Sequence, residues 1–89
     1  MTIQIRGDFQ YSNEYASSIY INNVRRLGTC DPSTYSGSYY TCGSFSVPIG
    51  SVTIRVYATS SVSFMYVKIS GHSHGSKVHY IHIFCFQIE

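Results

Sequence analysis

From Val52 onward the chain alternates. Val52, Ile54 and Val56 stand in phase, with Thr53, Arg55 and Tyr57 between them, until Ser60-Ser61 breaks the run. A second run spans Val62 to Ile69, where Met65, Val67 and Ile69 share one phase. A third spans Lys77 to Ile88. Successive side chains of an extended chain leave opposite faces of a sheet, so a period of two in β-branched and aromatic residues specifies strands. An amphipathic helix needs a period near 3.6, and no such pattern is legible. Gly71-His72-Ser73-His74-Gly75-Ser76 lies between the second and third runs and reads as a hairpin tip.

The first half follows the same rule in shorter pieces. Residues 2–6 form a strand, and Gly7-Asp8 and Ser12-Asn13 mark turns. Residues 15–21 form the next strand, with Ile19 and Ile21 on one face and Ser18 and Tyr20 on the other. Asn22-Asn23 suits a two-residue hairpin turn because asparagine tolerates positive φ, and residues 24–27 then return as a short strand. Residues 28–43 are polar, centred on Tyr35-Ser36-Gly37-Ser38-Tyr39-Tyr40, and read as a long loop. Phe45 to Ile49 leads into a turn where Pro48 and Gly50 flank Ile49. Six to seven short strands with polar turns predict an all-β fold, an antiparallel β-sandwich, with residues 1–89 as one domain.

A chain of 89 residues buries only about 60–65% of its unfolded surface. Such a core is usually supplemented by a cross-link, a metal or an oligomer. Cys30 and Cys42 bracket the long loop and are the candidate disulfide. Closing a loop of this size contributes about 3 kcal/mol in the chain-entropy model. Two reduced cysteines in a surface loop are the other reading. Cys85 sits in an apolar strand and reads as a buried free thiol. An oxidised 30–42 pair implies a secreted or cell-surface protein. No signal peptide is legible ahead of the strand at residues 2–6. No apolar run reaches the length of about 18 residues that a membrane span needs, so no membrane insertion is expected.

The last strand is apolar on both faces, with Ile81, Ile83 and Cys85 on one and Tyr80, Phe84 and Phe86 on the other. Its second face therefore needs a cover. Another subunit is one candidate and the 28–43 loop is another.

The stretch Val52-Thr53-Ile54-Arg55-Val56-Tyr57, then Phe64 after a Ser-rich turn, then Lys77-Val78 opening a strand that ends Ile88-Glu89, resembles the H-type lectin domain. This is the small six-stranded sandwich of snail agglutinins and of the C-terminal part of discoidins. Ile19, Ile21 and Val24 fit its upstream strand, so the resemblance covers residues 15–27 and 50–89. It implies a homotrimer built around a threefold axis. It also implies a sugar site near the subunit junction, selective for galactose or N-acetylgalactosamine. His74 falls where the family's sugar-contacting histidine lies, and Arg55 matches a family arginine. Ser73 replaces the aromatic residue before that histidine, Ser51 replaces a second arginine, and the 28–43 segment is longer than the family connection.

A sugar site needs polar groups that match hydroxyls and an aromatic surface for the apolar side of the ring. His72, Ser73 and His74 are the polar candidates, with Arg55. Tyr39 and Tyr40, with Tyr35, are the aromatic candidates if the loop folds over the tip. The blander alternative is that the tyrosines cap an apolar edge and the histidines are solvated.

Other chemistries find less support. His72, His74, His79 and His82 offer imidazoles for a metal, but His79 and His82 leave a strand on opposite faces, and no Asp or Glu lies between residues 32 and 88. No metal or other cofactor is expected. Asp8, Glu14, Asp31 and Glu89 are scattered, so no carboxylate pair for acid–base catalysis is legible. The six basic residues form no dense patch, which speaks against nucleic acid. The expectation is a carbohydrate-binding lectin acting as a homotrimer, with glycans or glycoproteins as partners. The alternative is a protein-interaction or trimerising module, such as a fibre tip or a small secreted effector.

Overall fold

Two sheets pack face to face in the computed structural model, which describes residues 1–71 and 79–88, the last strand's residues 79, 80, 87 and 88 by backbone only. The strands among the described residues are β1 (Thr2–Gly7), β2 (Ala16–Ile21), β3 (Val24–Leu27), β4 (Tyr40–Ser44), β5 (Gly50–Thr59), β6 (Met65–Ser70) and β7 (His79–Ile88). One sheet has the order β4-β1-β6 and the other the order β3-β2-β5-β7. The all-β sandwich expected from the alternation is what forms. No helix among the described residues is long and apolar enough to cross a membrane.

Alternation dictates which residues go inside. Ile3 and Ile5 of β1 face Ile19 and Ile21 of β2 and Val52, Ile54 and Val56 of β5, and each is at most 2% exposed. Phe9 and Val62 are buried in the same core. Met65, Val67 and Ile69 of β6 pack against it while staying partly exposed. Burying one such side chain contributes about 1.5–3 kcal/mol. The Asn22-Asn23 turn forms as the sequence suggests, with φ of 49° and 67°. Asn22 also accepts the Thr53 N–H through Oδ1 at 2.9 Å, which ties the turn to β5.

Three features depart from the sequence reading. First, β6 and β7 are not a hairpin, because β6 pairs with β1 and β7 pairs with β5. The chain leaves β5, crosses to the other sheet as β6 and returns beside β5. Two crossings reverse its direction twice, so β7 runs parallel to β5, from Gly50↔His79 to Thr59↔Ile88. The four-stranded sheet is therefore mixed, with β6 in the crossover position that a helix usually fills.

Second, the 28–43 segment is not all loop. β4 begins at Tyr40 and pairs with β1, while Tyr35 bridges to Asp8 and Cys30 to Ala16. The segment lies along the end of β1 and the start of β2, so it is not the cover for β7. A β-bulge between Ile3 and Gln4 leaves Cys42 as the extra residue of β4. A bulge re-aims a side chain, and here Cys42 reaches Cys30 in a disulfide with 5.6 Å between the Cα atoms. Cys30 exchanges two backbone hydrogen bonds with Ala16, so the cross-link fastens the edge of one sheet to the other.

Third, Cys85 is exposed and not buried. It shares the inward phase with Val56, but the three-stranded sheet does not extend over β7. Desolvation by its neighbours still pushes its pKa upward, so the group stays a thiol at neutral pH.

Two carboxylates are spent inside the fold. Glu14 accepts the Tyr11 N–H at 2.9 Å. Asp8 accepts the Ser63 N–H at 3.0 Å and the Ser63 hydroxyl at 2.8 Å, joining the end of β1 to the β5–β6 turn. The Ser63 N–H, and then its hydroxyl, hold the Asp8 pKa below the ordinary value of 3.8.

Reducing the Cys30–Cys42 bond should cost about 3 kcal/mol of unfolding free energy in denaturant titrations with and without reductant. A Cys30→Ala/Cys42→Ala variant should show no further loss. Asp8 predicts an acid limb. A depressed native pKa gives stability that is full above the unfolded-state pKa and is lost as pH falls through the native one. Melting curves from pH 5 to 2 should thus fall less steeply for Asp8→Asn than for the parent chain.

Candidate functional site

The outward phase of β1 and β6 builds a ringed and charged face. With Ile3 and Ile5 committed to the core, Thr2, Gln4 and Arg6 must point away from it. Across the ladder Arg6 pairs with Tyr66 and Gln4 with Lys68. On the other side Gln4 pairs with Thr41, and its Nε2 donates to Thr41 Oγ1 at 3.1 Å. Tyr39, just ahead of β4, completes the face. The Arg6 guanidinium carbon lies 4.8 Å from the Tyr66 ring centre and 5.5 Å from that of Tyr39. Lys68 Nζ lies 5.4 Å from the Tyr39 ring centre. Each cation–π contact of this exposed kind contributes about 0.5–1 kcal/mol.

The ring series extends past Tyr66. Phe64 is tilted against Tyr66 at 5.7 Å, and Tyr35 meets Phe64 edge-on at 5.6 Å. Tyr35 is 56% exposed, Tyr66 51% and Tyr39 36%. A half-exposed ring held in place by a cation offers its free surface to a ligand without a further ordering cost. Chemically the face combines apolar ring surface with an amide, a hydroxyl, a guanidinium and an ammonium. That set can stack on a planar or ring-shaped ligand and hydrogen-bond to its polar groups.

The candidates from the sequence do not all meet here. Tyr39 belongs to this face, and Tyr35 to its far end. Tyr40 pairs with Ile5 in the register, so it leaves β4 on the other side and stands at the edge, 47% exposed. Arg55 points outward from β5 in the other sheet. Its Nη1 donates to the Tyr57 hydroxyl at 3.0 Å and its guanidinium stacks over Tyr20 at 4.8 Å. Packed sheets stand about 10 Å apart, so Arg55 and Tyr39 face opposite ways and cannot share a ligand within one chain. His72, Ser73 and His74 lie outside the described residues. Among the described residues no three metal-ligating side chains gather.

The sequence reading missed Arg6, Gln4, Tyr66 and Lys68. Each could be recognised as the outward member of an alternating strand. The missing signal was that β1 and β6, about 60 positions apart, are neighbours.

The outward face of the other sheet is also aromatic. Tyr57 stacks on Phe86 at 5.1 Å, Phe84 on Phe86 at 6.4 Å, and Tyr20 meets Tyr57 edge-on at 5.7 Å. Phe84 and Phe86 remain 48% and 43% exposed. A cleft of about 110 Å³ opens between β7 and the β5–β6 turn, lined by Ala58, Val62, Phe64, Met65, Cys85 and Phe86, with Ser63. It is mostly apolar, and the Ser63 hydroxyl in it is already given to Asp8.

No family model, curated protein or solved structure matches this chain.

Proposed function

We propose that the chain is a carbohydrate-binding module of the lectin kind, with its saccharide held on the outward face of β1 and β6. The observation that carries this reading is the half-exposed pair Tyr39 and Tyr66, set around Arg6 with Gln4 and Lys68 beside it. Sugar rings present an apolar C–H face and a polar rim. A sheet surface that alternates rings with long polar side chains matches both. The resemblance to the H-type lectin domain supports the same class and adds a homotrimer, with galactose and N-acetylgalactosamine as the first neutral sugars to test.

Assembly has its own support. β7 is an edge strand, and no Lys, Arg, Asp or Glu occurs from His79 to Ile88 to guard it. Unguarded apolar edges invite pairing with another chain. Ile83, Phe84 and Phe86 are each 39–48% exposed. Trimerisation through this strand would cover them and would multiply weak single sites into useful avidity. The same edge favours the second reading, a module whose function is protein contact or assembly alone.

A glycan array read together with light scattering separates the two. The lectin reading expects retention of a glycan class, and a loss of about 1 kcal/mol per site in Tyr39→Ala and in Tyr66→Ala, magnified by avidity. A stable oligomer that binds no glycan favours the assembly reading. Phe84→Ser/Phe86→Ser should give a monomer if β7 is the interface, and an unchanged oligomer would exclude that strand.

A further inference from the structure

On the reading of the β1–β6 face as a saccharide site, we infer that its ligand is an acidic sugar, whose carboxylate or sulfate is held jointly by Arg6 and Lys68. Arg6 pairs with Tyr66 and Lys68 with Gln4, so the two cations are diagonal neighbours on one face of adjacent antiparallel strands. Diagonal positions lie about 7–8 Å apart at the backbone, within reach of each other for side chains this long. Both head groups lie within 5.5 Å of the centre of the same Tyr39 ring.

Neither cation has an anion partner among the described residues. Asp8 is given to Ser63, Glu14 to the Tyr11 N–H and Asp31 to the Ser33 N–H. No ion pair forms among the described residues. The contrast with two of the other arginines is informative. Arg26 donates to the Ser46 carbonyl at 3.0 Å, and Arg55 donates to the Tyr57 hydroxyl. Arg6 and Lys68 make ring contacts, and among the described residues nothing accepts from their N–H groups. Two like charges drawn together around one ring repel each other, and an anion between them turns that repulsion into attraction.

The donor geometry fits an oxyanion. A guanidinium presents a planar fork to a carboxylate or sulfate, and an ammonium adds a point charge from the side. Tyr39 and Tyr66 then bracket the sugar ring that carries the group. The Gln4 amide, whose nitrogen is fixed by Thr41, still has its oxygen free to accept a sugar hydroxyl. A neutral hexose would use the rings and the amide but leave the two charges uncompensated.

The test is a binding titration of the full chain with matched glycan pairs: sialyllactose against lactose, and a sulfated chondroitin oligosaccharide against its desulfated form. The acidic member should bind at least about tenfold more tightly, and raising salt should narrow the gap by screening. Arg6→Gln and Lys68→Gln should each lose about tenfold for the acidic glycan, the scale of one charge-assisted contact. Arg25→Gln, an exposed arginine on the other sheet, should change little. Circular dichroism checks that each variant folds.

If the neutral members bind as tightly as the acidic ones, the acidic-sugar inference falls and the saccharide reading stands. If neither kind binds, both fall. Equal losses in Arg25→Gln and Arg6→Gln would mean diffuse attraction and would overturn the inference. So would inorganic sulfate that competes as well as the glycan, or tight binding of a sulfated peptide with no glycan bound.

Discussion

The contact between the apolar row of β1 and the apolar rows of β2 and β5 fixes nearly everything else in the molecule. Ile3 and Ile5 on one side, and Ile19, Ile21, Val52, Ile54 and Val56 on the other, are out of water. Because a strand has only two faces, settling one row settles the other. Arg6 and Gln4 are outward because Ile3 and Ile5 are inward, and Arg55 and Tyr57 because Ile54 and Val56 are inward. A slip of one residue in either ladder would place Arg6 or Arg55 in the core, where an unpaired charge is costly. The site is thus a by-product of register, and its precision is that of the core beneath it.

The two sheets are unequal, and that inequality has consequences at both edges. Three strands lie over four, so β7 has no partner layer even though its Ile81, Ile83 and Cys85 are in phase with buried residues of β5. Ile81 alone of these packs against the core. At the other edge β3 also extends past the main core, with Val24 58% exposed, and there the cross-link between Cys30 and Cys42 closes the sandwich. A small chain with a modest core is fastened covalently on one side and left open on the other. The open side is the one with no charged residue along its strand.

Much of this was legible from alternation. The strands at residues 2–6 and 15–21, the phase of 52–58, the Asn22-Asn23 turn and the candidate Cys30–Cys42 pair each follow from local chemistry, whereas the bulge that brings both Ala16 and Ile19 into the core does not. β4 was not, because Tyr40–Ser44 is a short polar edge strand whose sequence, Tyr-Thr-Cys-Gly-Ser, carries no apolar alternation. Nor was the parallel placement of β7, since a tip between two apolar runs looks the same whether the runs pair or cross between sheets. Of the site, Tyr39 was legible as an exposed ring. Its companions were not, because the pairing of β1 with β6 is a long-range choice made by the core. Arg55 illustrates the converse: the right type of residue, on a strand whose other face is buried, directed to the wrong side of the sandwich for Tyr39.

The electrostatic character of the surface also comes from the interior. The net charge is only +2, and the basic residues form no run beyond Arg25-Arg26. Yet two of the four acidic side chains, Asp8 and Glu14, are at most 6% exposed and serve as acceptors that hold turns. A carboxylate buried against its own donors offers little field to the outside. The outward faces are therefore more positive than the sum of charges suggests, and the cations on them are met by rings in place of acids. Rings hold a cation without neutralising it. A guanidinium between Tyr66 and Tyr39 is ordered, partly desolvated and still fully charged, which is the state in which it discriminates best between an anion and a neutral group of the same shape.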